Sequence, residues 1–155
     1  MTAQPMVVVG YDPDVAKAHG YAIRFTAEGM PYAVKSGPHL TTGRGATPDN
    51  IVTGNCGSSW VFLYDVGALR YSVDTGFGLV SAAVSYSWAA NVVGPAYNYT
   101  PAWSGALLLK TAWSAQGARS VSLPGTYSAK SSGTAVLATG VICRSQGPVA
   151  NQAIY

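Results

Sequence analysis

The chain has 155 residues, a length that fits one domain with a single hydrophobic core. Only 10% of the residues are charged and 48% are hydrophobic, a composition that excludes a charge-rich disordered chain. Residues 1–74 hold five Lys and Arg against six Asp and Glu, whereas residues 75–155 hold four Lys and Arg and no acidic side chain. Four separated cations form no dense basic patch, so no nucleic-acid partner is expected.

The sequence contains no apolar run of the roughly 18 residues that a membrane-spanning helix requires. The longest uncharged stretch, residues 75–109, is interrupted by Ser, Asn, Gly and Pro. The first ten residues, MTAQPMVVVG, lack the basic region and the apolar core of a signal peptide. We therefore expect no transmembrane segment, and we expect that an exported natural protein has had its signal removed.

A short helix is predicted near the N-terminus. Asp12 is a residue type that caps helix N-termini, and Pro13 suits the first helical position because proline lacks the N–H that would remain unpaired there. Gly20 is typical of the position just past a helix end. These signals together predict a helix of two turns between Asp12 and Gly20.

A β-hairpin and a linker are predicted to follow this helix. Residues 21–26 and 31–35 have strand-like sequences and flank a short segment that contains Gly29. Residues 36–50 contain three Gly and two Pro and show no periodicity, which predicts a loop or linker. We interpret residues 1–50 as an N-terminal extension and residues 51–155 as the main body.

The body is predicted to open with a hairpin that turns at Gly67 and Ala68, where Gly stands first as a type II′ turn requires. The alternating residues on both sides of the turn predict the following opposite pairs: Tyr64 and Tyr71, Phe62 and Val73, Trp60 and Thr75, Asp65 and Arg70. In this register the first three pairs share one face of the sheet. Asp65 and Arg70 form a cross-strand charge pair on the other face.

Further strands are predicted at short intervals along the body. Residues 80–93 alternate and predict one long or bent strand, and residues 106–113 predict an apolar strand. Residues 135–138 and 141–144 predict a hairpin that turns at a Thr-Gly pair. Seven or eight such strands, punctuated by Gly and Pro, are typical of a mainly β fold, a single-domain antiparallel β-sandwich or flattened barrel.

Cys56 and Cys143 lie 87 positions apart and bracket nearly all of the strand-like sequence of the body. We predict that they form one structural disulfide that joins the first and last elements of the body, as in an exported protein found outside the cell or at its surface. Two alternatives stay open. The cysteines are free thiols buried in the core, or they bind a metal together with His19 and His39, which lie in the N-terminal extension.

The residues that carry catalysis in other proteins are sparse. Both histidines, His19 and His39, precede residue 40, far in sequence from the carboxylates of the strand body, Asp65 and Asp74. Nucleophilic catalysis requires a base and an orienting carboxylate near the nucleophile, and glycoside hydrolysis requires two facing carboxylates. The inventory argues against an enzyme and predicts no cofactor and no metal.

The segment from residue 94 to residue 105 is the most suggestive candidate for recognition. Tyr97 and Tyr99 project to one side of an extended chain between two prolines, and Trp103 follows. Amphipathic Tyr and Trp rings are enriched at recognition surfaces, so these three residues are predicted to bind a ligand. The alternative is that they close the open end of the sandwich. Three further tryptophans are predicted to lie in the core: Trp60, Trp88 and Trp113.

Together these observations predict an exported, non-catalytic binding or interaction module that recognises a glycan or another protein through aromatic loop residues. One alternative is a small secreted hydrolase that uses a histidine of the N-terminal segment. Another is a secreted protease inhibitor or membrane-active toxin that projects the loop between Pro38 and Pro48. The sequence leaves the ligand and the oligomeric state open.

Overall fold

The computed structural model describes residues 2–25, 27–29, 31–35, 56–95 and 97–155. In this part of the chain the elements are β1 (Thr2–Tyr11), α1 (Pro13–Ala18), β2 (Tyr21–Phe25), β3 (Pro31–Lys35), β4 (Gly57–Asp65), β5 (Arg70–Gly94), β6 (Tyr97–Tyr99), β7 (Ala102–Ser120), β8 (Gly125–Leu137), β9 (Val141–Ser145) and β10 (Val149–Ile154). The predicted mainly β class is confirmed.

One antiparallel sheet of 8 strands makes up the main part of the fold. Its strands follow the order β10-β8-β9-β1-β4-β5-β6, and β7 pairs with β5. Because β8 pairs with β5 as well as with β9, the sheet folds back and closes on itself. This arrangement confirms the predicted sandwich-like fold of about seven or eight strands. The predicted hairpin of the extension is also confirmed, since β2 and β3 form a separate sheet of 2 strands.

The long strand β5 creates the two layers of the body. Its first part pairs with β4 and its second part with β8, while β7 follows it along both parts. The pairing register shifts between Gly78 and Ala83, as expected where an irregularity bends a strand. The two parts of β5 then face each other, since Nε1 of Trp88 donates to Oγ1 of Thr75 at 2.9 Å.

The helix α1 forms where the capping signals predicted it. Oδ1 of Asp12 accepts the backbone N–H groups of Asp14 at 3.0 Å and of Val15 at 3.2 Å, which satisfies donors that a helix start leaves unpaired. The helix ends at Ala18, and Gly20 follows with a φ of 79° that suits glycine. The predicted helix is therefore confirmed.

β1 is a strand that was not predicted from the sequence. It lies inside the main sheet, where it pairs with β4 on one side and with β9 on the other. The division of the chain at residue 50 into an extension and a body stays a prediction, but β1 shows that residues before 50 contribute to the main sheet. The predicted linker at residues 36–50 lies outside the described residues.

The predicted register of the hairpin between β4 and β5 is wrong by one residue. Tyr64 pairs with Ser72 and Leu63 with Val73, because the turn holds positive φ at Gly67 and at the two residues after it. A slip of one residue exchanges the two faces of a strand. The buried side chains of β4 are those of Ser59, Val61 and Leu63, whereas Tyr64 is 48% exposed.

The expected charge pair at this turn is replaced by other contacts. Asp65 pairs with Tyr71 in the ladder, and Oδ1 of Asp65 accepts the backbone N–H of Gly67 at 2.8 Å. Oδ2 of Asp65 accepts the backbone N–H of Tyr155 at 3.4 Å. The carboxylate thus organises the turn and holds the end of the chain instead of facing Arg70 across the strands.

The predicted disulfide between Cys56 and Cys143 is confirmed, with a Cα–Cα distance of 6.0 Å. Cys56 precedes β4 and donates its N–H to the carbonyl oxygen of Met6 in β1, while Cys143 pairs with Val8 of the same strand. The bridge therefore joins the two strands that flank β1. The prediction that Cys143 lies on the last strand is wrong, because β10 follows β9.

Two groups of buried side chains form the interior. The disulfide cluster consists of Met6, Cys56, Phe77, Leu79, Ala83, Trp88, Leu107, Ala135, Leu137, Val141 and Cys143. The tyrosine cluster consists of Val61, Leu63, Tyr71, Val73, Ala90, Val92, Val121, Tyr127, Ala129, Ala150 and Ile154. Trp103 is half-buried and packs against both clusters. Trp103 is thus part of the seam between them.

Candidate functional site

A cluster of aromatic rings leads from the interior to the surface. Phe77 and Trp88 are buried, with ring centroids 5.0 Å apart. The ring of Trp113 lies 5.7 Å from that of Phe77, and the ring of Tyr86 lies 4.6 Å from that of Trp113. Trp103 completes the set at 5.5 Å from Trp113. These five residues are called the ring cluster, and neighbouring rings at such spacings stabilise one another.

Two members of the ring cluster, Tyr86 and Trp113, line a cleft of about 500 Å³, here called the aromatic cleft. Trp60 of β4, Tyr86 of β5 and Trp113 of β7 contribute rings from three different strands. Lys110 brings the one charged side chain among the described residues of the lining. The other lining residues are Ala106, Leu107, Leu108, Ala112 and Ser114. Among the described residues, the lining therefore combines flat apolar faces with one cation and the hydroxyls of Tyr86 and Ser114.

Gly76 in β5 leaves room for the ring of Trp60 on one side and for the backbone of Trp113 on the other. A methyl group on its Cα would lie 2.7 Å from Cζ2 of Trp60 and 2.3 Å from the carbonyl oxygen of Trp113. Both distances are shorter than atoms tolerate, so any side chain at this position would separate the strands that carry the rings. The absence of a side chain at Gly76 is thus part of the geometry of the cleft.

A bend in β7 contributes Leu108 to the wall of the aromatic cleft. Leu108 and Leu109 have φ values of 50° and 63°, in the left-handed region that costs a non-glycine residue roughly 1 to 2 kcal/mol. Both side chains point to solvent, with exposures of 82% and 53%. Strain of this kind concentrates at functional positions. Residues on both sides of the bend line the cleft, Ala106 before it and Lys110 and Trp113 after it.

The structure gives the three predicted recognition residues different surroundings. The guanidinium of Arg119 lies over the ring of Tyr99, 4.2 Å from the ring centroid, and also hydrogen bonds to the Tyr99 hydroxyl. Trp103 pairs with Trp88 in the ladder and packs inward. The side chain of Tyr97 lies outside the described residues. Their role in binding stays a prediction.

The residues that do converge were assigned by the sequence to the core. Trp88 is buried as predicted, but Trp60 and Trp113 are half-buried and reach the aromatic cleft. Part of this arrangement had a signal in the sequence. Gly76 interrupts an alternating strand, which often marks a close approach. The bend at Leu108 had none, because leucine is not a residue type that predicts a left-handed backbone.

The candidate catalytic residues do not form a site in the described part of the chain. His19 caps the end of α1 and is exposed beside Val84 and the two leucines of the β7 bend, with no carboxylate or serine in that lining. Oδ2 of Asp74 accepts a hydrogen bond from Nε2 of Gln116 at 3.2 Å. The described residues contain no group of three or more His, Cys, Asp or Glu side chains that could hold a metal ion. His39 and the loop between Pro38 and Pro48 lie outside them.

No family model matches the chain, and neither a search of curated proteins nor a search of solved structures finds a significant match. Within the described residues, no helix has the length and apolar character needed to cross a membrane. The aromatic cleft is therefore interpreted from its own residues.

Proposed function

We propose that this chain is an exported, non-catalytic binding module that holds a saccharide in the aromatic cleft. The observation that carries the proposal is the convergence of Trp60, Tyr86 and Trp113, from three strands, on a cleft of about 500 Å³. That volume lies within the range of small-molecule sites in proteins, roughly 300 to 1,000 Å³. The disulfide supports export, because such bonds persist in oxidising compartments.

The chemistry of the lining suits a sugar ring. The face of an aromatic ring carries negative charge density, and the C–H groups on one face of a pyranose carry partial positive charge, so the two faces attract while both lose contact with water. Lys110 and Ser114 at the rim supply an ammonium and a hydroxyl for the sugar hydroxyl groups. Apolar faces with a few polar groups are typical of small-molecule sites.

Tryptophan fluorescence tests the proposal directly, because two of the three rings are indoles. The protein is titrated with soluble oligosaccharides of glucose, N-acetylglucosamine, mannose and xylose. We expect a saturable change with at least one of them, and we expect Trp60→Ala to weaken that binding about tenfold or more. Trp60 suits the test because it is half-buried and belongs to neither core cluster.

Tyr64→Ala is the matched control. Tyr64 lies on the same strand as Trp60, is exposed and stacks on Phe62 with ring centroids 6.1 Å apart, but it does not line the aromatic cleft. Its removal should leave the affinity unchanged. The proposal fails if no oligosaccharide changes the fluorescence, or if Tyr64→Ala weakens binding as much as Trp60→Ala does.

A further inference from the structure

A second cleft, of about 640 Å³, opens where β9 ends. The last ladder pair between β1 and β9 joins Met6 to Ser145, so the first residues of β1 extend beyond β9 while still pairing with β4. On the other side, the pairing of β8 with β9 ends at Thr134 and Arg144. The space that β9 leaves between β1 and β8 is called the polar cleft. Its lining includes Gln4 from β1.

The wall of the polar cleft is built from a fixed turn. Oγ of Ser145 accepts the backbone N–H of Gly147 at 3.0 Å and hydrogen bonds to Oγ of the buried Ser59 at 3.0 Å. The backbone N–H of Ser131 donates to the carbonyl oxygen of Pro148 at 3.1 Å. These bonds anchor the turn to β4 and to β8. The polar groups of the turn are therefore held in place before any ligand arrives.

Because Gly147 has no side chain, Lys130 can pack against this turn. Gly147 has a φ of 77°, and a methyl group on its Cα would lie 2.7 Å from Cε of Lys130. The aliphatic stem of Lys130 therefore packs where any other residue would place a side chain. This contact orients the ammonium of Lys130, which lines the same cleft as the guanidinium of Arg144.

The polar cleft is rich in cationic side chains and hydrogen-bond donors. Lys130 and Arg144 line it together with the hydroxyls of Ser132 and Thr134 and the amide of Gln4. No carboxylate side chain is among the described residues of the lining. Two cations beside hydroxyl and amide groups match a compact anion whose oxygens accept several hydrogen bonds at once. Arg144 can bind two of those oxygens in parallel, and Lys130 acts as a point charge.

We propose that the polar cleft binds a tetrahedral oxyanion, the sulfate or phosphate group of a ligand. The inference is independent of the aromatic cleft, since Lys110 and the rings take no part in it. Sulfate and phosphate share the geometry and the charge that the lining recognises, so the proposal concerns the group and not the molecule that bears it.

The test is an amide NMR titration of the ¹⁵N-labelled protein with sodium sulfate and, separately, with sodium phosphate at pH 8. Sodium chloride holds the ionic strength constant, because screening alone changes the surroundings of charged groups. We expect saturable shifts of the amide of Gly147 and of its neighbours in the turn in at least one series. Tighter saturation in one series shows which of the two anions the cleft prefers.

Charge-neutralising variants distinguish a built site from general attraction. Arg144→Gln and Lys130→Gln should each weaken the anion about tenfold, since each removes a charge-assisted contact. Lys110→Gln removes the same charge from the aromatic cleft and should leave the affinity within about twofold. All three side chains are exposed, so the variants are expected to fold.

Two results would overturn the proposal. The first is a set of shifts that grows linearly with either salt and never saturates. The second is an equal loss of affinity in Lys110→Gln and in Arg144→Gln, which would assign the effect to net charge. A protein that binds oxyanions here but no oligosaccharide in the aromatic cleft would reject the proposed function and leave this inference standing.

Discussion

The two ends of the interior differ in how they meet the solvent. At the tyrosine cluster, loops and the chain end close over the core: the N–H of Leu69 donates to the carbonyl oxygen of Tyr155 at 3.0 Å, and the N–H of Val121 donates to that of Leu69 at 2.8 Å. At the disulfide cluster, the rings continue outward through Tyr86 and Trp113 into the aromatic cleft. One end is sealed by backbone hydrogen bonds and the other opens through side chains.

This difference shows how a small sheet provides both stability and a site. Aromatic rings that leave a core bring rigid, apolar faces to the surface at low cost in side-chain entropy. The disulfide lies in the cluster at this open end, where it adds a covalent link to backbone hydrogen bonds such as that from the N–H of Val80 to the carbonyl oxygen of Cys56. Four substitutions test whether the two ends are stabilised in these different ways.

Removing the disulfide should have the largest effect. A cross-link between residues 87 positions apart stabilises a fold by about 4 to 5 kcal/mol on the chain-entropy model. The double variant Cys56→Ser with Cys143→Ser should therefore lose about that much in urea unfolding. Hydrogen exchange should show faster opening at β1 and β9 than at β10. Equal acceleration at all three strands would contradict a local role for the bridge at the open end.

Trp88→Ala should cost nearly as much, about 3 to 5 kcal/mol, because it removes a large buried side chain from the disulfide cluster. It also leaves Oγ1 of Thr75 without the indole donor that lies 2.9 Å away. Urea unfolding measures the loss. Tyr64→Ala, an exposed aromatic position, should cost less than about 0.5 kcal/mol. Similar losses in the two variants would show that Trp88 does not anchor the core.

Gly94→Ala tests the packing of the sealed end. A methyl group on Gly94 would lie 2.0 Å from Cδ1 of Tyr127, so the ring or the strand must move. Overpacking of this kind costs about 1 to 3 kcal/mol. Gly78→Ala is the matched control in the same strand, because nothing lies within 4 Å of its added methyl group. If Gly94→Ala leaves the free energy of unfolding unchanged, Tyr127 or its strand moves to accommodate the methyl group without a measurable cost.

Local signals in the sequence predicted the elements that depend on neighbouring residues. Asp12 and Pro13 define the start of α1, and alternation predicts the strands from residue 80 onward. Their pairing was harder to predict. Both faces of β4 carry large apolar side chains, Val61 and Leu63 on one and Phe62 on the other, so alternation alone leaves its inward face ambiguous.

The aromatic cleft was beyond prediction for a different physical reason. Trp60 and Trp113 flank the first part of β5, but Tyr86 and Leu108 join them only where β5 bends after Gly78 and β7 bends at Leu108. Neither bend follows from residue preference, since leucine disfavours the left-handed backbone it adopts here. The indoles of Trp60 and Trp113 were predicted as core because half-buried and buried aromatic residues have the same sequence pattern.

Tyr127→Phe should have the smallest effect of the four, and it examines one hydrogen bond of the sealed end. The Tyr127 hydroxyl donates to the carbonyl oxygen of Leu123 at 2.7 Å, while its ring is buried in the tyrosine cluster. The substitution keeps the ring and removes only the donor, so unfolding in urea should show a loss of about 1 kcal/mol. Tyr64→Phe, at an exposed ring, should show none. If Tyr127→Phe is equally neutral, the loop at Leu123 is held by packing alone and the sealed end depends on its other backbone bonds. A loss above about 2 kcal/mol would instead mean that this hydrogen bond stabilises the sealed end more than a single neutral hydrogen bond ordinarily does.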